Sequence, residues 1–140
     1  MKTPGWQERL ADWAEARIGA PFEWGETDCA LLAFEAFDEI TGGSLAHAYR
    51  ARYGDARAAL RFQRRFHLDL RCVLVASGCR QMEIQFAKSG DIVCVEKNGF
   101  QCGHAIVGGR AVSAWPEKGV YWAELRRLRI DGAVVLRIPG

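Results

Sequence analysis

The segment GDIVCVEKNGFQCGHAIVGGRAVSAW, Gly90 to Trp115, decides the predicted fold of this 140-residue chain. Apolar and polar residues alternate along much of it, as they do in strands that bury one face. Asn98-Gly99 and Gly108-Gly109 interrupt the alternation, and both dipeptides favour the two-residue turns of β-hairpins. The segment therefore predicts an antiparallel meander, and GAVVLRI, residues 132–138, predicts a final strand.

Helical patterns precede the meander. Apolar residues recur at spacings of three and four in residues 3–19, and the mostly apolar segment 28–43 predicts a buried second helix. Thr27 or Asp28 is its expected N-cap. Residues 55–68 and 69–79 predict two further helices. Helices followed by an antiparallel sheet indicate an α+β fold, and the length suits one domain spanning residues 1–140.

Charge and hydropathy exclude several classes of partner. The net charge of +2 is too small to predict binding to nucleic acid or to a membrane surface. No apolar run approaches the ~20 residues of a membrane span. The start, MKTPGWQERLADW, lacks the apolar core of a signal peptide, so we expect a soluble protein made in the cytoplasm.

The arginines of the third predicted helix share one side of it. A solvated face and an anion-binding surface for a substrate or partner are both compatible with this arrangement. The residues are Arg57, Arg61, Arg64 and Arg65.

The cysteine pattern predicts neither a disulfide framework nor a metal site, and we expect no cofactor. Five cysteines without a signal peptide argue against disulfides, and no C-x-x-C indicates structural zinc. Cys94, Cys102 and His104 form a loose cluster in sequence. A two-residue turn at Asn98-Gly99 would place Cys94 and Cys102 on opposite faces of the sheet, which disfavours a shared metal or a disulfide.

Cys29 lies in the first turn of the second predicted helix. Free backbone N–H groups and the helix dipole at that position favour a thiolate, so we expect a lowered pKa. A nucleophile suits this position, but a buried structural cysteine suits it equally well.

A nucleophilic cysteine needs a base, and the base needs a group that orients it. His47 and His67 lie in polar or irregular contexts, whereas His104 lies on the second meander strand. Counting through the two turns pairs Val93 with His104 and places Ser113 opposite His104. We expect these two side chains on the face that meets the start of the second helix.

The segments PFEWGETDCALLAF, KSGDIVCV and GHAIVGGRAVSAW resemble, in order and spacing, NlpC-type cysteine peptidases, which are papain-like enzymes. The resemblance is strongest to the small branch encoded among phage tail genes and in prophages. It implies Cys29 as nucleophile, His104 as general base and Ser113 as third catalytic residue. The chain has Ser113 where the family usually has His, Asn or Gln, Phe22 where a tyrosine is common, and Ala30 where serine is usual.

The resemblance implies cleavage of short peptides of the bacterial cell wall through an acyl-enzyme, without a metal or organic cofactor. It also implies phage tail proteins as partners and the virion tail as a location. Two alternatives stay open: a non-catalytic tail-assembly or binding module that keeps the fold, and another acyl-thioester reaction such as acyl transfer or deamidation.

Overall fold

The fold is α+β, with helices in the N-terminal half and one six-stranded antiparallel sheet in the C-terminal half. The computed structural model describes residues 1–66, 69–130 and 132–140. The helices are α1 (Trp6–Arg17), α2 (Cys29–Thr41), α3 (Leu45–Tyr49), α4 (Ala56–Phe66) and α5 (Leu70–Ala76). The strands are β1 (Arg80–Glu83), β2 (Ile92–Lys97), β3 (Phe100–Val107), β4 (Arg110–Trp115), β5 (Gly119–Glu124) and β6 (Val134–Arg137).

The predicted hairpin turns and their registers are confirmed. Asn98 and Gly99 both have positive φ, 52° and 82°, as a type I′ turn requires. Val95 pairs with Cys102 and Val93 with His104. The next hairpin pairs Val107 with Arg110. The predicted meander is therefore present as β2, β3 and β4, and the sheet order is β1-β6-β2-β3-β4-β5.

Each face of the sheet has its own core. The helices cover one face, which contributes Ile92, Cys94, Ala105, Val112, Ala114, Val120 and Leu136 to the larger cluster. The opposite face carries Val93, Ile106, Ala111 and Val135, which pack with Leu128 from the 3₁₀ helix Leu125–Leu128. Residues two apart on a strand share a face, so Cys102 and His104 lie with Ile106 on the side away from the helices.

Helix α2 is the central helix and is buried along most of its length. Asp28 is its N-cap, because the side chain accepts a hydrogen bond of 2.9 Å from the backbone N–H of Leu31. The second carboxylate oxygen accepts from the N–H of Gly25 and from the hydroxyl of Tyr53, both at 2.8 Å. Burial raises the pKa of Asp28, and these hydrogen bonds oppose the rise. The cap fixes where the helix begins, and therefore where Cys29 lies.

Glu35 ties α2 to its surroundings through a buried ionic cluster. Its carboxylate accepts hydrogen bonds from Trp13 Nε1 at 2.9 Å and from Arg17 Nε at 2.8 Å, both on α1. Arg50, directly after α3, also forms an ion pair with it. A buried carboxylate that lost these partners would leave an uncompensated charge, so the cluster resists any movement of α2 against α1.

Other predictions have mixed outcomes. All four predicted helices and the final strand are present, whereas α3, β1 and β5 were not predicted. His47 is exposed as expected, and His67 lies outside the described residues. Within the described ranges, no helix combines the length and apolar character that crossing a bilayer requires.

Candidate active site

Strands β3 and β4 separate where the candidate site lies. Their ladder runs from Val107↔Arg110 to Ala105↔Val112 and ends there. β3 continues to pair with β2 as far as Phe100, while β4 continues to pair with β5 as far as Trp115. The two strands therefore diverge, and the gap between residues 100–104 and residues 113–115 is here called the β3–β4 split.

The thiol of Cys29 lies at the β3 side of this split. Its Sγ atom is 3.8 Å from the carbonyl oxygen of Gln101, and the backbone N–H of Gly103 also interacts with it. Both are backbone groups of β3, a strand whose ladder with β4 has ended nearby. Helix α2 approaches β3 so closely that a Cβ on Gly103 would lie 2.9 Å from the Cys29 carbonyl oxygen. Only glycine allows this approach.

The expected lowering of the Cys29 pKa is wrong. The pKa is raised well above its ordinary value, chiefly by a hydrogen bond with the thiol of Cys102, and further by burial and by the charge of Asp28. The backbone N–H of Gly103, on β3, favours the thiolate, but these larger effects outweigh it. The helix position was therefore predicted correctly, and its electrostatic surroundings were not.

Cys102 is the functional candidate that sequence reasoning missed. Its interaction with the thiol of Cys29 lowers the pKa of Cys102, and the charge of Lys97 lowers it further. Burial and Asp28 act in the opposite direction. The interaction therefore acts on the two thiols in opposite directions, raising the pKa of Cys29 and lowering that of Cys102. The only sequence signal was its position two residues before His104 on the same strand face.

His104 is buried and neutral at pH 7. Burial lowers its pKa to about 4, the carbonyl groups of Val93 and Cys102 favour its protonated form, and the charge of Lys97 opposes it. The groups that shift the pKa of His104 do not include Cys29. Although those carbonyls are near, Nδ1 makes no hydrogen bond to any described residue. The ring lies on the face away from the helices, and the expectation that it would lie on the face that meets α2 is wrong.

Ser113 joins the two sides of the split. Its hydroxyl donates a hydrogen bond of 2.8 Å to the carbonyl oxygen of Gly103, and the phenol of Tyr121 also bonds to it. The ladder ends one position before the expected His104–Ser113 pair, and Ser113 shares its face with Ala111. The hydroxyl proton of Ser113 is thus donated to the backbone of β3 and not to the imidazole of His104.

A cavity of about 450 Å³ opens on the His104 face of the sheet. Cys102, His104 and Tyr121 form part of its wall, together with Lys97 and Lys118. The ammonium of Lys97 lies 4.3 Å from the ring centre of Trp115, and that of Lys118 lies 4.8 Å from the ring of Tyr121. The cavity wall therefore combines a thiol and an imidazole ring with three cationic and two anionic side chains.

The remaining predicted features have clear positions. Cys94 packs with the helices, so it and Cys102 lie on opposite faces, as predicted. In the described part of the chain, no three His, Cys, Asp or Glu side chains come together as a metal site. The α4 arginines named above are exposed, which fits either a solvated face or an anion-binding surface.

Comparison with known proteins places the chain in one family. No curated protein matches it. Residues 1–130 match a family described as "Domain of unknown function (DUF6950)". The matched range includes α1 to α5 and β1 to β5, and hence Cys29, Cys102, His104 and Ser113. The chain therefore belongs to the DUF6950 family.

Proposed function

We propose that the protein is a papain-like cysteine hydrolase of the NlpC type that cleaves peptides of the bacterial cell wall, with Cys29 as nucleophile. The observation that carries this proposal is the thiol of Cys29, in the first turn of a buried helix, at a split in the sheet beside a cavity wall that contains His104. The type of reaction is taken from the three sequence segments that resemble NlpC-type cysteine peptidases.

The chemistry is acyl transfer to sulfur and then to water. Cys29 attacks the peptide carbonyl, and His104 takes up the thiol proton and returns it to the leaving amine. His104 suits a proton acceptor because it is neutral and its Nδ1 is unpartnered. Catalytic hydrogen bonds often tighten only when substrate binds, and Cys29 and His104 would come together at that stage. Backbone N–H groups at the start of α2 would stabilise the oxyanion.

The cavity supports a substrate that carries carboxylates. Lys97 and Lys118 each lie against an aromatic ring, which holds the ammonium groups in place at the wall. Glu96 and Glu124 also line the cavity, but Glu124 is paired with Arg126 at 2.6 Å. Short cell-wall peptides carry free carboxylates, which the two lysines would bind. Delivery by a phage tail, with other tail proteins as partners, belongs to the same proposal.

A second candidate is a non-catalytic tail-assembly or binding module that keeps the fold. Three observations favour it: the Cys29 pKa is raised, the His104 pKa is about 4, and the Ser113 hydroxyl is bound to Gly103. In such a module the cavity would bind peptide without cleaving it.

The test is incubation of the full chain with purified cell-wall peptides, followed by mass spectrometry of the products. The hydrolase predicts new fragments with the wild type and with Cys72→Ser, because Cys72 is exposed on α5, and none with Cys29→Ser. Intact peptides that nevertheless bind, measured by calorimetry, would establish the second candidate and exclude the first.

A further inference from the structure

The Sγ atom of Cys29 lies 3.8 Å from the carbonyl oxygen of Gln101, the residue before Cys102. The thiols of Cys29 and Cys102 interact there, although one lies on a helix and the other on a strand. Two rigid elements hold them there. Besides the Cys29 carbonyl oxygen, a Cβ on Gly103 would lie 2.8 Å from the Cβ of Ala33, so α2 rests directly on the backbone of β3. Contact between the two sulfurs is the first requirement for forming a bond between them.

We propose that Cys29 and Cys102 form a dithiol site that reacts with low-molecular-weight disulfides and closes to a Cys29–Cys102 disulfide. Nothing in the hydrolase proposal requires this site, because the reaction needs only the two sulfurs and an entering disulfide. It would also occur in a module that binds peptide without cleaving it.

The geometry sets the order of the two steps. Cys102 forms part of the wall of the 450 Å³ cavity, whereas Cys29 lies behind it in the β3–β4 split with 8% of its surface exposed. A disulfide RSSR that enters the cavity therefore meets Cys102 first. The Cys102 thiolate attacks one sulfur, forms Cys102–S–SR and releases RS⁻.

Cys29 then resolves the mixed disulfide. Its sulfur attacks the Cys102 sulfur, its proton passes to the departing RS⁻, and the Cys29–Cys102 bond forms. The two protein thiols are oxidised, and RSSR is reduced to two RSH, so atoms and electrons balance. The lowered pKa of Cys102 supports its role as the attacking thiol, because attack requires the thiolate.

The other cysteines are unsuited to this reaction. Cys94 lies on the opposite face of the sheet, and burial raises its pKa to about 12. Burial likewise raises the pKa of Cys79 to about 11. Cys72 is exposed, but its hydrogen bond with Asp69 raises its pKa. Formation of the disulfide is therefore expected to select Cys29 and Cys102.

The test uses the reduced full chain, folded and without denaturant, incubated with oxidised glutathione. Remaining thiols are then blocked with N-ethylmaleimide in denaturant, so that the buried thiols also react, and the protein is digested with trypsin without reduction. Cys29 falls in peptide 18–50, Cys102 in 98–110 and Cys94 in 89–97. We expect peptides 18–50 and 98–110 to be joined, with a matching loss of maleimide at both, while peptide 89–97 keeps its label.

Two variants complete the experiment, and circular dichroism checks that each is folded. Cys94→Ser is expected to form the same cross-link. Cys102→Ser is expected to leave Cys29 as a free thiol that glutathione does not cross-link. Wild-type protein whose peptides 18–50 and 98–110 both remain maleimide-labelled overturns the proposal. A cross-link that appears only in denaturant, or that spreads to Cys94, overturns it equally.

Discussion

The Ser113 hydroxyl donates a 2.8 Å hydrogen bond to the carbonyl oxygen of Gly103, just beyond the last ladder pair between β3 and β4. The bond crosses the β3–β4 split at the level of Cys29, whose thiol interacts with the N–H of the same glycine. Ser113 therefore acts on the candidate site by setting the width of the split.

Ser113→Ala is expected to lower the free energy of unfolding by about 1–2 kcal/mol, because it leaves a buried carbonyl without its donor. Urea unfolding measures the change. Ser44→Ala is the matched control, since Ser44 is exposed and its side chain caps nothing. Equal unfolding midpoints for the two variants would show that the Gly103 bond contributes nothing to stability.

Cys102→Ala is expected to lower the pKa of Cys29, because the Cys102 thiol is the largest cause of its rise. At a fixed pH below that pKa, each unit of decrease increases the thiolate fraction about 10-fold. Alkylation of Cys29 by iodoacetamide should accelerate accordingly, and peptide mass spectrometry can follow it. Cys94→Ala, which also empties a buried position on the neighbouring strand, should leave the rate unchanged. Similar rates in both variants would contradict the thiol–thiol bond.

His104 makes stability depend on pH in acid. Its pKa is about 4 in the folded chain against an ordinary value of 6.5. Between those values the unfolded chain binds a proton that the folded chain does not. Stability is therefore complete above pH 6.5 and falls as the pH drops towards 4, by up to about 3 kcal/mol from this residue.

His104→Gln should flatten that part of the curve, whatever it does to stability at neutral pH. Urea unfolding at several pH values between 4 and 7 measures the slope. His47→Gln is the control, because His47 is exposed on α3. A slope that survives in His104→Gln would assign the acid sensitivity to another group.

Gly103→Ala is expected to destabilise the fold by about 1–3 kcal/mol, because the added methyl overpacks a fixed contact. It would meet the Cys29 carbonyl oxygen, the Cβ of Ala33 and the Cδ2 of Leu70, all within 2.9 Å. Gly109→Ala is the control, since a methyl group added there would have nothing within 4 Å of it. Thermal unfolding distinguishes the two, and equal melting temperatures would mean that α2 moves away from β3 at little cost.

Local chemistry made part of this fold predictable. Asn98-Gly99 can form a tight turn between two alternating segments, and the turn alone sets every pair of the β2–β3 ladder. Asp28 is a good N-cap before an apolar run, so the start of α2 and the position of Cys29 in its first turn could be predicted. By contrast, β1 has four mostly exposed residues, RQME, whose polar sequence gives no strand signal. The five residues of α3 are too few to show a helical period.

The electrostatics of the site depend on contacts that no local pattern encodes. Cys102 and Cys29 meet only because β3 and β4 diverge. No pattern in the sequence of either strand predicts that divergence. The sequence likewise does not indicate on which face of the sheet the side chain of His104 lies. The strand count correctly placed it opposite Val93, but a register does not say which side of a sheet the helices will cover.

Glu35 can influence the candidate site from a distance, through helix α2. Arg17 and Arg50 hold this one carboxylate from different parts of the chain, and it lies on the same helix as Cys29. The helix that carries the thiol is consequently held, before any ligand arrives, by side chains that do not line the cavity. We therefore expect a substitution at Arg17 to loosen the attachment of α2 to α1 while every residue around the cavity stays the same.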